Sequence, residues 1–227
     1  MATIIILMIV GAILQGLFIT VEHKEKYVVA DILKGSAAAC FVIIGVLGYF
    51  TRTSDSFGMK LMIGLIFGMI GDILLNLRFI VSEEKSQKVF LLGIISFLAG
   101  HILYLAALIP ITSHILMCII IGGILAAALL TYIFKTMDVK MAFKIFGVFY
   151  LGAVIIMTVI AIDIAFVMQN VRSIEYAIGA VLFTISDIVL IFNTFSGKTK
   201  FSMRIANLSL YYIGQMMIAF CLFLPVS

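Results

Sequence analysis

Two carboxyl groups stand where the chain otherwise prefers oil. The stretch GMIGDILLNL, residues 68–77, carries Asp72, and TISDIVLIF, residues 184–192, carries Asp187. An aspartate at the centre of a membrane-spanning helix costs about 2.5–3.5 kcal/mol on insertion scales. It persists only if it is paired, solvated or used, so an intramembrane ionisable residue is a functional candidate by default. Two carboxyl groups in a poorly hydrated pocket do not both ionise easily. One then serves as acid and the other as base near neutral pH, an arrangement suited to hydrolysis through a protonated intermediate.

Other polar side chains share their depth. Asp72 lies six residues before Arg78, roughly 9 Å along a helix, and Asp187 eleven before Lys198, roughly 16 Å. His101 follows Lys88 by thirteen residues, Gln215 follows Arg204 by eleven, and Lys34 follows Lys26 by eight. Five polar side chains on five segments thus fall between one interface and the midplane. Each also has a structural reading. The aspartates could hydrogen-bond across helices, and Lys34 has a local partner in Asp31, three residues before it. His101 could be a satisfied bundle histidine, Gln215 and Asn76 interhelical glue, and Tyr104 and Tyr211 packing groups.

These positions must be held by membrane helices. The 227 residues are 64% hydrophobic and 11% charged, with mean hydropathy +1.30, against about 25% charged in a soluble domain. A span needs about 20 apolar residues. Eight segments qualify: 3–21, 28–50, 58–80, 89–109, 113–134, 143–163, 172–194 and 205–224. The connections are short, so the expected architecture is an all-α, polytopic bundle of eight transmembrane helices, one membrane domain over residues 1–227. The first segment has no basic n-region and no small-x-small cleavage site, and reads as a helix of the mature protein rather than a signal peptide. The odd-numbered connections carry eleven Lys and Arg and the even-numbered ones three. By the positive-inside rule the odd connections are cytoplasmic, both termini are non-cytoplasmic, and the polar level opens toward the cytoplasmic leaflet. The basic residues are spread by topology and form no nucleic-acid patch. Cys40, Cys118 and Cys221 lie apart within apolar spans, forming neither a disulfide framework nor a zinc site.

Eight helices with termini on one side could be two parallel four-helix repeats, halves 1–110 and 111–227. Gly71-Asp72-Ile73 matches Ser186-Asp187-Ile188, and Gly100-His101 matches Gly214-Gln215. Parallel repeats place a functional site at the interface between halves.

GDILL at 71–75, FLAGHILYLAAL at 97–108, ISDIVLIFNTF at 185–195 and LYYIGQMMIA at 210–219 together resemble the YhhN-like family of eight-helix membrane proteins, which includes the animal lysoplasmalogenases. The likeness runs through the third, fourth, seventh and eighth helices, with Tyr150 in the sixth. In the second, the family tends to show Lys-Pro and this chain has Lys34-Gly35. The resemblance implies an alkenyl-ether hydrolase that cleaves the vinyl ether of a lysoplasmalogen to a fatty aldehyde and a glycerophospho-headgroup. It places the family's intramembrane aspartates on Asp72 and Asp187. On that chemistry the candidate substrate-binding residues are Lys34, Asn76, Arg78, His101, Tyr104, Tyr150, Asn193, Tyr211 and Gln215, with His101 and Gln215 expected to orient the acids or the water and Lys34 with Arg78 to meet the lipid phosphate. The resemblance implies no metal and no cofactor; the partners are a lysophospholipid, water and membrane lipid, with no nucleic acid.

Two other classes use membrane aspartates. A proton-coupled lipid or small-molecule transporter would carry protons on them. An intramembrane aspartyl protease resembles Gly-x-Gly-Asp, whereas residues 70–72 read Ile-Gly-Asp, and Pro-Ala-Leu does not occur. There is no GxSxG elbow, HExxH helix or P-loop.

Overall fold

The computed structural model describes residues 1–139, 141–197 and 199–225. Lys140 and Lys198, two of the loop charges counted above, lie outside the described residues. Eight helices follow one another: α1 Ala2–His23, α2 Tyr27–Thr51, α3 Ser56–Leu77, α4 Glu83–Leu108, α5 Ile115–Thr136, α6 Met141–Met168, α7 Val171–Phe195 and α8 Phe201–Phe220, with a 3₁₀ turn over Cys221–Phe223. All eight are long and apolar enough to cross a membrane. At 1.5 Å per residue even the 20 residues of α8 reach about 30 Å. The protein is an all-helical, multi-pass bundle.

The ends depart from the hydropathy segments for local reasons. α4 starts at Glu83, six residues before the apolar run at 89, with Glu83 and Glu84 in its first turn, where acidic side chains suit the helix dipole. α3 stops at Leu77, with Arg78 as C-cap. α6 runs on to Met168, five residues past its segment. Asp55 caps α3 by accepting from the Gly58 N–H at 2.8 Å, and Asn170 caps α7 by accepting from the Ser173 N–H at 2.9 Å.

Consecutive helices alternate direction, so the bundle has an odd face, carrying the α1–α2, α3–α4, α5–α6 and α7–α8 connections, and an even face. α3 packs tightly on α4 and α7 on α8. Both contacts rest on facing glycines. A Cβ on Gly100 would lie 2.9 Å from the Gly64 carbonyl oxygen, and one on Gly214 2.8 Å from the Gly179 carbonyl oxygen. Small residues at such crossings let backbones approach where packing rather than water exclusion holds helices together. Gly64 stands eight residues before Asp72, and Gly179 eight before Asp187, so both crossings hold their aspartates at matching levels. α5 packs chiefly on α6 and turns Leu116, Ile120 and Ile124 outward. On the even face His114 Nδ1 meets Asp163 Oδ1 at 2.9 Å and Thr112 donates to Asp163 Oδ2 at 2.6 Å, pinning the α4–α5 connection to α6.

Candidate functional site

Seven helices, α2 to α8, line one pocket. Its rim near the odd face carries Arg78, Phe90, Phe134, Phe143, Phe195 and Arg204; its floor carries Lys34, Asp72, Tyr150, Asp187 and Tyr211. Between them the wall is aliphatic, with Leu75, Ile94, Leu130, Leu151, Leu190 and Ile191. The two aspartates, 115 positions apart in the chain, therefore face one space.

Their settings differ. Asp72, 3% exposed, faces Lys34 across the α2–α3 contact, with Nζ 3.1 Å from Oδ1. Its other oxygen accepts the Tyr211 hydroxyl from α8 at 2.5 Å. The pairing of Lys34 with Asp31 suggested by their spacing does not form. α3 packs directly on α2, and the carboxylate across that contact answers Lys34, while Asp31 Oδ1 is buried without a partner among the described residues. Asp187, 4% exposed, accepts the Tyr150 hydroxyl from α6 at 2.5 Å on Oδ2. No cation forms an ion pair with it among the described residues. A buried charge is retained when paired and hydrogen-bonded. Asp72 meets that condition as a carboxylate, and Asp187 has only a neutral phenol.

Of the residues anticipated from sequence, Lys34, Asp72, Arg78, Tyr150, Asp187 and Tyr211 line the pocket. The others stand elsewhere. His101 lies behind Tyr150, ring centroids 5.6 Å apart, with its Nδ1 at 2.7 Å from the Phe97 carbonyl. Tyr104 donates to Gln215 Oε1 at 3.4 Å, and both residues are 1% exposed. Asn76 belongs to the scaffold. With its amide turned to suit its neighbours, it donates to Glu22 Oε1 and accepts from the Asp31 N–H, each at 3.1 Å. Asn193 accepts from the Lys200 N–H at 2.7 Å and so holds the α7–α8 connection.

Arg204 and Asn207 are among the lining residues that escaped the sequence reading. Arg204 reads as a topology charge, yet it lines the pocket while forming a two-pronged pair with Glu22 at 2.9 and 2.6 Å. Asn207 lines the pocket while donating to the Ser186 carbonyl at 2.9 Å. It stands three residues past Arg204, near the start of its span, where a polar side chain carries no signal of its own. Arg78 is held between the rings of Phe79 and Phe90, 4.6 and 4.3 Å from their centroids, and its buried Nε has no partner among the described residues.

The arrangement offers an apolar slot, a cationic rim, and at the floor one carboxyl beside a cation and one beside a phenol. Among the described residues no three His, Cys, Asp or Glu side chains gather as a metal site. The model of the YhhN family matches residues 29–222 of the chain, which takes in every residue of the pocket. No curated protein and no solved structure matches the chain.

Proposed function

The chain belongs to the YhhN family, and from that premise we propose that it is a membrane-embedded lysoplasmalogenase. It hydrolyses the vinyl ether of a lysoplasmalogen to a fatty aldehyde and a glycerophospho-headgroup. The observation that carries this reading is the unequal pair of aspartates at the floor of one apolar pocket.

The lipid lies folded in the pocket: its phosphate meets the rim at Arg78, whose guanidinium is not tied to a carboxylate among the described residues, its vinyl ether reaches the aspartates at the floor, and its chain doubles back along the aliphatic wall. Lys34, engaged with Asp72, positions the carboxylate rather than the phosphate. Asp187, which pairs with no cation among the described residues, is the acid: it gives its proton to the β-carbon of the vinyl ether, leaving an oxocarbenium ion. Asp72, held ionised by Lys34 and oriented by Tyr211, steadies that cation and takes a proton from the attacking water. The resulting hemiacetal collapses to aldehyde and alcohol. Its hydroxyl proton returns to Asp187, and the proton held by Asp72 passes to the departing alkoxide oxygen. Bond and proton balance closes with one water consumed. The odd face, which carries most of the basic residues, is the cytoplasmic one on this reading.

The test is aldehyde release from a lysoplasmalogen by purified protein in detergent, beside Asp72→Asn and Asp187→Asn. Release by the parent and its loss in both folded variants is the expected result. Unchanged turnover in Asp187→Asn overturns the assignment. Absence of aldehyde together with proton-coupled lipid flux moves it to a transporter.

A further inference from the structure

A hydrolase whose pocket is filled by a lipid chain needs another way for water to reach its floor. The even face holds a second pocket, lined among others by Asp55, Asn170, Arg172, Ser173 and Tyr176. Tyr176 is 2% exposed and its hydroxyl has no hydrogen-bond partner among the described residues. Its ring lies 6.4 Å, edge to face, from that of Tyr104. Tyr104 in turn reaches Gln215 through its hydroxyl and lies 5.6 Å from the His101 ring. His101 commits Nδ1 to the Phe97 carbonyl, and its Nε2 is buried with no partner among the described residues. Tyr150, bonded to Asp187, lies 5.6 Å beyond.

A row of aromatic rings in contact therefore leads from the second pocket to the floor of the main one, and along it the Tyr176 hydroxyl and His101 Nε2 are buried without a partner among the described residues. Buried polar atoms are rarely left unpaired, and polar groups set apart beyond direct hydrogen-bond reach are commonly bridged by ordered water. We propose that Tyr176, Tyr104, Gln215 and His101 line a file of bound water that supplies the hydrolytic water to the aspartates from the face opposite the one the lipid uses. This role of the file rests on the hydrolase reading; its hydration does not. His101 and Tyr176 are then positioning residues for water, not groups that touch the lipid.

X-ray-generated hydroxyl-radical labelling of the full chain in nanodiscs reads bound water directly, since radicals form where water sits. Tyr176 and Tyr104 are expected to be modified well above Phe41, an aromatic ring of comparable burial away from the file. Labelling no higher than at that ring overturns the file. Tyr176→Phe removes one hydroxyl and keeps the ring; it is expected to lower kcat about tenfold with KM unchanged, and to lower labelling of Tyr104. Reduced labelling with kcat unchanged overturns the supply role. Strong labelling in a parent that releases no aldehyde upholds the file and removes the hydrolase reading instead.

Discussion

Lys34 Nζ lies 3.1 Å from Asp72 Oδ1 with both side chains buried, and this contact is what makes the two aspartates chemically unlike. Asp72 and Asp187 each accept a tyrosine hydroxyl at 2.5 Å, but among the described residues only Asp72 meets an ammonium. Two carboxyl groups reached from one apolar pocket thus differ in the charge beside them.

Lys34→Met leaves Asp72 buried beside no cation. Removing one partner of a buried pair costs about 3–5 kcal/mol, so thermal unfolding in detergent is expected to shift sharply to lower temperature. Lys34→Met with Asp72→Asn is expected to recover most of that stability and none of the turnover. Equal instability of the single and double variants argues that Lys34 acts through something other than Asp72.

Tyr150→Phe and Tyr211→Phe each remove one hydroxyl from one carboxyl. A hydrogen bond contributes about 0.5–1.5 kcal/mol to a neutral carboxyl such as the acid Asp187 and about 1.5–3 kcal/mol to a carboxylate such as Asp72, which is roughly 2- to 10-fold and 10- to 100-fold in rate if it orients the reacting group. Turnover is expected to drop by the smaller factor in Tyr150→Phe and the larger in Tyr211→Phe, with KM held. A rise in KM alone reassigns both phenols to substrate binding.

The two rim arginines are expected to separate. Arg78→Gln removes a guanidinium that pairs with no carboxylate among the described residues and should raise KM for a phosphate-bearing lipid about 10- to 100-fold with little change in kcat. Arg204→Gln strands Glu22, its two-pronged partner, and should lower the unfolding temperature instead. A kcat and KM series with melting curves distinguishes them.

Gly147 lines the pocket, and a Cβ there would meet nothing within 4 Å. Gly147→Leu is expected to leave stability equal or improved by up to about 1 kcal/mol, the helix penalty of glycine. It should narrow the slot, so that turnover falls more for long-chain than for short-chain substrates. A uniform loss across a chain-length series places the lipid elsewhere.

The spans were legible because hydropathy over some 20 residues is a property of the segment alone. Their ends were not: Glu83 and Glu84 look like loop to a hydropathy window although they begin α4. The depth shared by Asp72, Asp187 and Lys34 follows from counting residues along helices, and the structure keeps all three in one pocket. Partnership is a different matter. Asp31 is visible as a neighbour of Lys34 from spacing, whereas Asp72 becomes one only when α2 and α3 pack. The same limit explains Asn76 and Asn193, whose amides are taken up by Glu22 and the Lys200 N–H. It also explains Arg204, a basic residue at a helix start whose inward turn depends on Glu22 in α1.

Each aspartate draws a partner from the helix immediately before its own: Lys34 on α2 serves Asp72 on α3, and Tyr150 on α6 serves Asp187 on α7. That order bears on how the chain is made. A nascent hairpin of α2 and α3 can enter the bilayer with its ammonium and carboxylate already facing each other, and a hairpin of α6 and α7 with its carboxyl already hydrogen-bonded. The insertion cost of about 2.5–3.5 kcal/mol per central aspartate is then offset within each hairpin during synthesis, before α8 arrives to add Tyr211. A helix order that separated either couple would expose the translocation machinery to a lone polar group in lipid.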